Sequence, residues 1–221
     1  MIRWLLGRDT PALDGAIAFA PEEEADGARL RHPGRRREWL LGRVTAKTLI
    51  LRHLRECGQP VGDPRRIAIR AAESGAPRVF LDGRELPVSL SISHSHGKAL
   101  CAVCPRERGL LGVDLERIEP RSPAFAADYF SEHERFLAGA VPRPERDFAL
   151  TLFWCVKEAV LKALGTGLRR DPRTVEVLDL PAGGVDPARA LSVKLADGTV
   201  PAVCCGRMEG MACAIAVLPE K

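Results

Sequence analysis

Two acid-bearing segments constrain the fold of this 221-residue chain more than any other feature. In residues 110–116 the order of apolar and acidic residues predicts a strand, and on a strand Asp114 and Glu116 project from the same face. In residues 153–162 the pattern predicts a helix, where Glu158 and Lys162, four positions apart, share one side. If this helix and strand face each other, three carboxylates and one ammonium group converge on one point.

The chemistry of that group of side chains is that of a hard cation site. Carboxylate oxygens, without histidine or cysteine among them, are the ligands that Mg²⁺ prefers, and Mg²⁺ commonly shares phosphate oxygens with a substrate. The segments therefore predict phosphoryl transfer from a substrate that contains a diphosphate.

Composition excludes some classes of function and leaves others open. The net charge is +4, from 33 basic and 29 acidic residues. This excess is too small to indicate nucleic-acid binding by itself, and an acidic protein partner or a polyphosphate ligand fits equally well. No apolar run is long enough for a membrane span. The C-x-x-C pair Cys101 and Cys104 lies in an apolar run and is interpreted as structural, so we expect reduced thiols and a cytoplasmic protein.

The order of predicted elements indicates two lobes, residues 1–104 and 105–221, of mixed α and β structure. Each lobe has one long predicted helix, over about 34–57 and 145–164, together with several short strands. A further helix is predicted over about 122–140. The polar residues after Pro105 are interpreted as a linker, and no sequence repeat relates the two halves.

Three groups of residues, in order and spacing, resemble the Sfp-type 4′-phosphopantetheinyl transferases. They are S-I-S-H-S at 91–95, G-V-D-L-E at 112–116 and W-C-V-K-E-A-V-L-K at 154–162. The resemblance implies an α+β fold, a pseudo-twofold pair of similar α/β lobes in one chain, with the active site in the cleft between the lobes. It also implies the reaction, in which the 4′-phosphopantetheine arm of coenzyme A is moved to a serine of an acyl or peptidyl carrier protein.

By that resemblance Asp114, Glu116 and Glu158 are the metal ligands, with Mg²⁺ bridging the diphosphate of coenzyme A. The alternative is three surface carboxylates. Lys162 would hold a phosphate oxygen and protonate the leaving group, and the alternative for it is a helical ion pair with Glu158.

The resemblance gives two further residues of the second lobe a functional and a structural interpretation. Glu134 would accept the proton of the serine hydroxyl, or else it caps a helix through the backbone of Ser131. Lys157 would be a second phosphate contact, or else a solvated lysine.

In the first lobe the resemblance implies contacts to coenzyme A. Ser93 and His94 would meet its phosphates or ribose, and the basic helix would grip the nucleotide phosphates through Arg36, Arg37 and Arg43. Helical spacing also places Lys47 on the face shared by Arg36 and Arg43.

The chain departs from the family pattern at one position. The family often has Gly-Lys-Pro before the S-H-S strand, whereas this chain has Ala76 at the lysine position. Arg70 or Arg78 could replace that charge.

The predicted function is therefore Mg²⁺-dependent phosphopantetheinyl transfer by a monomer, with coenzyme A and a carrier protein as partners and neither nucleic acid nor membrane. The alternatives are a Mg²⁺-dependent hydrolase of coenzyme A-like diphosphates and a non-catalytic coenzyme A binder.

Overall fold

The chain divides into two compact units, residues 1–109 and 110–221, in the computed structural model. The structure describes residues 1–143, 145–180 and 190–219. The boundary lies five residues beyond the expected one, because the segment after Pro105 packs on the first unit. Arg106 N donates to Pro87 O at 2.9 Å, and Ser89 Oγ donates to Gly109 O at 2.9 Å. This segment is therefore part of the first unit and not a free linker.

The first unit is a mixed α and β structure built on one long helix. Its elements are β1 (Arg3–Arg8), α1 (Pro21–Arg29), α2 (Pro33–Glu56), β2 (Ile67–Ala71), β3 (Pro77–Leu81), β4 (Arg84–Glu85), β5 (Val88–Ser95) and β6 (Lys98–Pro105). One antiparallel sheet has the strand order β1-β6-β5 and the other has the order β2-β3-β4. The helix α2 contacts the first sheet along β1, β6 and β5.

Local sequence explains where α2 begins and ends. Pro33 occupies the first turn, where its missing N–H costs no hydrogen bond, and the ring of His32 accepts from Arg35 N. At the other end Gly58 has a φ of +75° and Gln59 N donates to Leu54 O, the pattern of a glycine C-cap. The predicted helix over about 34–57 is thus confirmed.

The second unit repeats this kind of architecture. Its elements are β7 (Leu110–Arg117), α3 (Pro123–Tyr129), α4 (Glu132–Gly139), α5 (Glu145–Ala163), β8 (Val175–Val177), β9 (Ala190–Leu191), β10 (Val193–Leu195), β11 (Ala202–Met208) and β12 (Met211–Leu218). One sheet has the order β7-β12-β11-β9, and β10 pairs with β8. The helix α5 packs on β7 and β12.

The single helix predicted over about 122–140 is wrong, because two helices occupy this stretch. Phe130 and Ser131 leave the helical conformation, with ψ angles of 145° and 165°. Ser131 then caps α4: its hydroxyl accepts from Glu134 N at 3.2 Å, and Ser131 N donates to the Glu134 carboxylate at 2.8 Å. The capping box that the sequence placed inside one helix instead begins a second one.

The two units share their order of elements, which supports the expectation of similar lobes. In each unit the first strand lies beside the last, and the last pairs with the strand before it, giving β1-β6-β5 and β7-β12-β11. In each unit a short helix leads into a long one that covers this sheet, and a second small sheet follows. The prediction of an α+β fold is confirmed.

A buried glutamate–lysine pair occurs at the same place in both units. In the first, Glu23 of α1 accepts from Ala20 N, from Ile69 N on β2 and from the Lys47 ammonium at 2.6 Å. In the second, Glu134 of α4 accepts from Ser131 N, from Val177 N on β8 and from Lys157 at 2.9 Å. All four ionic side chains are fully buried. Each pair joins the long helix, the short helix and the small sheet of its unit.

None of the helices within residues 1–143, 145–180 and 190–219 is long and apolar enough to cross a lipid bilayer. All seven cysteines lie within these residues and are free thiols. Cys101 and Cys104 are buried on β6, and burial raises the pKa of both thiols, which agrees with their structural interpretation.

Candidate active site

The acidic motif lies on β7, at one edge of the second unit's four-stranded sheet. On β7, Asp114 stands opposite Ala214 of β12 and Glu116 stands opposite Ala212. The small alanine side chains leave room beside both carboxylates. Asp114 is 3% exposed, whereas the Glu116 side chain is 31% exposed. The alternative of three surface carboxylates is wrong for Asp114.

Gly112 allows the long helix to reach this strand. A Cβ atom at Gly112 would lie 1.8 Å from the carbonyl oxygen of Ala159 and 2.7 Å from Ala163 N, both in α5. Any side chain would therefore push helix and strand apart. The glycine two positions before Asp114 thus brings Glu158, the neighbour of Ala159, close to the acidic strand.

Lys162 reaches across from α5 to β7. Its ammonium donates a 2.6 Å hydrogen bond to Asp114 Oδ1, so its hydrogen bond runs between elements and not along the helix to Glu158. Burial alone would lower the pKa of Lys162. The charge and hydrogen bond of Asp114, with the charge of Glu158, outweigh burial and raise this pKa overall. Lys162 therefore remains a cation in the site.

The charges of the other two carboxylates act on Glu158. The pKa of Glu158 is raised, first by burial and then by the negative charge of Asp114, with a smaller effect of the same sign from Glu116; Lys162 opposes the shift. A carboxyl group destabilised by two others is typical of a site that binds a cation.

Among the described residues no three His, Cys, Asp or Glu side chains form a metal-ligating arrangement. One reason is visible at Asp114, whose Oδ1 accepts from Lys162. The assignment of Asp114, Glu116 and Glu158 as ligands thus stays a prediction. Their oxygen-only chemistry and mutual repulsion fit a hard divalent cation.

Glu134 and Lys157 are bound in the interior and do not reach this group. The Lys157 ammonium pairs with Glu134 and also donates to the carbonyls of Pro172 and Val175. Each of its three protons therefore has an acceptor. The expected phosphate contact of Lys157, and its alternative as a solvated lysine, both conflict with this burial. For Glu134 the contacts favour the capping role over the general base, because Glu23 makes the same contacts in the unit without the acidic strand.

A second cluster of predicted residues meets in the first unit. Arg43 and His94 line a cavity of about 210 Å³ together with Trp39, Gly42 and other residues of α2, β3 and β5. The guanidinium of Arg43 lies 5.5 Å from the centre of the Trp39 ring, and burial lowers its pKa. Its buried Nη1 has no hydrogen-bond partner within the described residues. A buried guanidinium donor beside a histidine at a cavity suits an anionic ligand.

The other predicted cofactor residues of the first unit do not line this cavity. Arg36 and Arg37 line a different one, of about 570 Å³, between the two helices α1 and α2. Arg37 is also engaged by Asp9 and Asp14 in ion pairs of 2.6 and 2.8 Å. Ser93 is buried on β5. Of the three arginines, the structure therefore favours Arg43 as the anion contact.

The segment that departs from the family pattern does line the smaller cavity, through Gly75 and Pro77. The two arginines expected to replace its lysine have carboxylate partners instead. Arg70 pairs with Glu22 at 2.8 Å and Arg78 pairs with Glu85 at 3.2 Å. The missing charge is thus not supplied by a free neighbouring arginine at either position.

Comparison with known proteins agrees with these motifs. A family model for the 4′-phosphopantetheinyl transferase superfamily matches residues 110–204, the part of the chain with the acidic strand and α5. This match covers 95 of the 221 residues, and it supports the resemblance to this superfamily. The matched superfamily consists of transferases, so the expectation of an enzyme is confirmed.

Two curated phosphopantetheinyl transferases are similar to this chain. HetI of a Nostoc species is 26% identical over 192 residues, which cover 84% of this chain and 76% of HetI. The gsp protein of Aneurinibacillus migulanus is 28% identical over 102 residues, or 46% of this chain and 40% of gsp.

Among solved structures the similar chains are holo-[acyl-carrier-protein] synthases. The Thermotoga maritima enzyme covers 50% of this chain and 63% of its own, at 24% identity and a TM-score of 0.39. The Bacillus anthracis enzyme, in complex with coenzyme A (3′,5′-ADP), covers 50% and 96%, at 21% identity and a TM-score of 0.41. These scores are too low to establish a common fold.

Two residues near the candidate sites are not apparent from sequence. The guanidinium of Arg43 lies over the Trp39 ring. In the sequence, this contact is indicated only by the spacing of four positions on a predicted helix. Arg121 lies 3.9 Å from Glu116, and nothing in its polar, proline-flanked segment distinguishes it from a surface residue. In the structure, Trp39 is identified by the cavity that it lines with His94, and Arg121 by the low exposure of its side chain.

Proposed function

We propose that this protein is an Sfp-type phosphopantetheinyl transferase that moves the 4′-phosphopantetheine of coenzyme A to a serine hydroxyl of an acyl or peptidyl carrier protein. In the reaction a bond forms between the serine oxygen and the phosphorus next to the pantetheine arm. The bond from that phosphorus to the bridging oxygen of the diphosphate breaks. The serine proton passes to the departing phosphate oxygen or to solvent, and adenosine 3′,5′-bisphosphate leaves.

The observation that carries this proposal is the meeting of β7 and α5 within the part of the chain that matches the family. At this contact Lys162 donates a hydrogen bond to Asp114 at 2.6 Å, and the negative charges of Asp114 and Glu116 act on Glu158. Transfer of a phosphoryl group needs positioned positive charge more than covalent help from the protein. This cluster can supply that charge from Lys162 and can hold a cation.

The three carboxylates would hold Mg²⁺, and when bound it would offset the negative charge of the diphosphate. Lys162, which donates to Asp114 Oδ1 at 2.6 Å and is kept protonated by its raised pKa, would donate to a phosphate oxygen of the bound diphosphate.

The first unit would bind the nucleotide end of coenzyme A. Arg43 offers a buried N–H, His94 offers a ring nitrogen, and both line the cavity bordered by Trp39. Arg43 is preferred to Arg36 and Arg37 for this contact.

Mass spectrometry of an apo carrier protein, after incubation with this chain, coenzyme A and Mg²⁺, tests the proposal. The expected mass gain is that of one phosphopantetheine, and EDTA should abolish it. Free phosphopantetheine without carrier modification would indicate the hydrolase alternative. Binding of coenzyme A with neither product would indicate the non-catalytic binder.

We further propose a cytoplasmic monomer whose protein partner is an acidic carrier. The net charge of +4 is favourable for encounter with such a partner. Sedimentation of the purified chain tests the oligomeric state.

A further inference from the structure

Arg121 is a buried cation beside the candidate active site that the predicted chemistry does not use. It lies between the end of β7 and the start of α3, and its side chain is 15% exposed. Its guanidinium carbon is 5.1 Å from the centre of the Phe125 ring. Phe125 in turn packs on Tyr129 and on Trp154 of α5, with ring centres 4.8 and 5.1 Å apart. The aromatic cluster therefore helps to hold the guanidinium in place.

The nearest carboxylates do not satisfy this guanidinium. Nη2 lies 3.9 Å from Glu116 Oε2, and Nη1 lies 3.8 Å from Glu119 Oε1, both beyond hydrogen-bond distance. Within the described residues, the buried Nε and Nη2 of Arg121 have no hydrogen-bond partner. Buried donors without an acceptor are rare in folded proteins, because each costs free energy unless an acceptor is supplied.

Arg121 and Lys162 approach the carboxylates from two different positions. Lys162 contacts Asp114, and Arg121 stands beside Glu116. Nε and Nη2 of one guanidinium form a flat two-pronged donor, which matches two oxygens of a phosphate group. A tetrahedral anion would satisfy both donors at once, with one oxygen for each, and would also offset the buried positive charge.

We infer that Arg121 binds the diphosphate of the substrate, through Nε and Nη2, next to Glu116. This inference rests on the proposed function for the identity of the substrate. Arg121 is then the second cation of the phosphate site, beside Lys162, and Phe125 is the residue that positions it.

Direct titration with coenzyme A tests the contact without requiring turnover. Arg121→Met keeps much of the apolar contact with Phe125 but removes the donors, and it should weaken coenzyme A binding about 10- to 100-fold. Arg121→Lys, which keeps the charge but loses the two-pronged donor, should fall between this variant and the wild type. Arg117→Met is the matched control, because Arg117 is an exposed cation of the same segment, paired with Glu119 at 2.9 Å.

Two small probes separate a phosphate contact from general damage to the site. Arg121→Met should bind inorganic pyrophosphate more weakly than the wild type does, by a factor similar to that for coenzyme A. Adenosine 3′-monophosphate, which has no diphosphate, should bind the variant as it binds the wild type. Unchanged pyrophosphate affinity in Arg121→Met, or an equal loss for both probes, would overturn the inference.

Arg121→Lys decides the outcome if Arg121→Met does not fold. It should melt close to the wild type and bind pyrophosphate several-fold more weakly; wild-type pyrophosphate affinity in this variant would then overturn the inference. Failure of the wild type to modify a carrier would count against the proposed function alone, since the binding measurements do not depend on transfer.

Discussion

At the scale of single residues, the negative charge of three carboxylates in the candidate active site exceeds the positive charge of the cations near them. Glu158 shows this most clearly, since burial and the charges of Asp114 and Glu116 raise the pKa of its carboxyl group. A buried carboxylate close to other negative charges destabilises the protein when no cation is bound. Sites that bind charged ligands commonly have this cost. Removing the charge should therefore have opposite effects on stability and on activity.

Glu158→Gln should abolish carrier modification while slightly stabilising the metal-free protein. The amide keeps the shape of the side chain but removes the repulsion, which we expect to raise the melting temperature by about 2 °C at neutral pH. Melting curves with EDTA, together with the carrier assay, check both effects. A variant with wild-type transfer would contradict the role of Glu158 as a ligand.

The same substitution should change how stability depends on pH. The pKa of Glu158 is raised above its usual value of 4.5, so the folded chain holds this proton more tightly than the unfolded chain. The resulting stabilisation is fully present below the unfolded pKa and is lost as the pH rises through the folded pKa. Glu158→Gln lacks this contribution, so its stability should fall less over that interval.

Arg43→Met should weaken coenzyme A binding about tenfold or more, because it removes the buried donor at the cavity that His94 also lines. Arg36→Met removes the same charge from the same helix but at a different cavity, and it should have a smaller effect. Calorimetric titration of both variants checks this order. The reverse order would place the nucleotide in the larger cavity.

At the scale of elements, the contact between α5 and β7 creates the site. The sequence feature that permits it is Gly112, whose missing side chain leaves room for the backbone of Ala159. Helix α5 then holds Glu158 and Lys162 against the strand that bears Asp114. On β7, Gly112 thus meets a packing requirement, whereas Asp114 and Glu116 are predicted ligands.

Gly112→Ala should destabilise the chain by about 3 kcal/mol, since backbone atoms of α5 cannot yield as a flexible side chain can. Gly139→Ala is the control: no atom lies within 4 Å of its added Cβ, and alanine favours the helical conformation. Urea unfolding of the two variants checks the contrast. Equal stability of both would mean that α5 and β7 are not packed this closely.

At the scale of the whole molecule, the two units repeat one structural device. The pairs Glu23–Lys47 and Glu134–Lys157 use the same positions and the same backbone partners in units with different surroundings. Only the second unit has the acidic strand, so a device present in both is structural in origin. Breaking either pair by removing one charge should be costly, because the other charge is left buried.

Glu134→Gln and Glu23→Gln should therefore destabilise the protein by similar amounts, about 3 kcal/mol each. At temperatures where the variants stay folded, Glu134→Gln should retain transfer within a few-fold of the wild type. Thermal melts and carrier assays at low temperature check this. A loss of turnover of a hundredfold or more in fully folded Glu134→Gln, with Glu23→Gln unaffected, would restore Glu134 as the general base.

The sequence alone predicted the two long helices, the acidic strand and the transferase resemblance of this protein. Alternation on a strand placed Asp114 and Glu116 on one face, and four-residue spacing on a helix did the same for Glu158 and Lys162, because both are local properties of the backbone. Only the tertiary structure decided the partner of each charge. Lys157 and Lys162 are five positions apart on one helix, yet one is buried with Glu134 and the other reaches Asp114. Which partner a lysine meets depends on what packs against its side of the helix. That information lies in contacts between elements distant in sequence, as does the packing of Phe125 on Trp154.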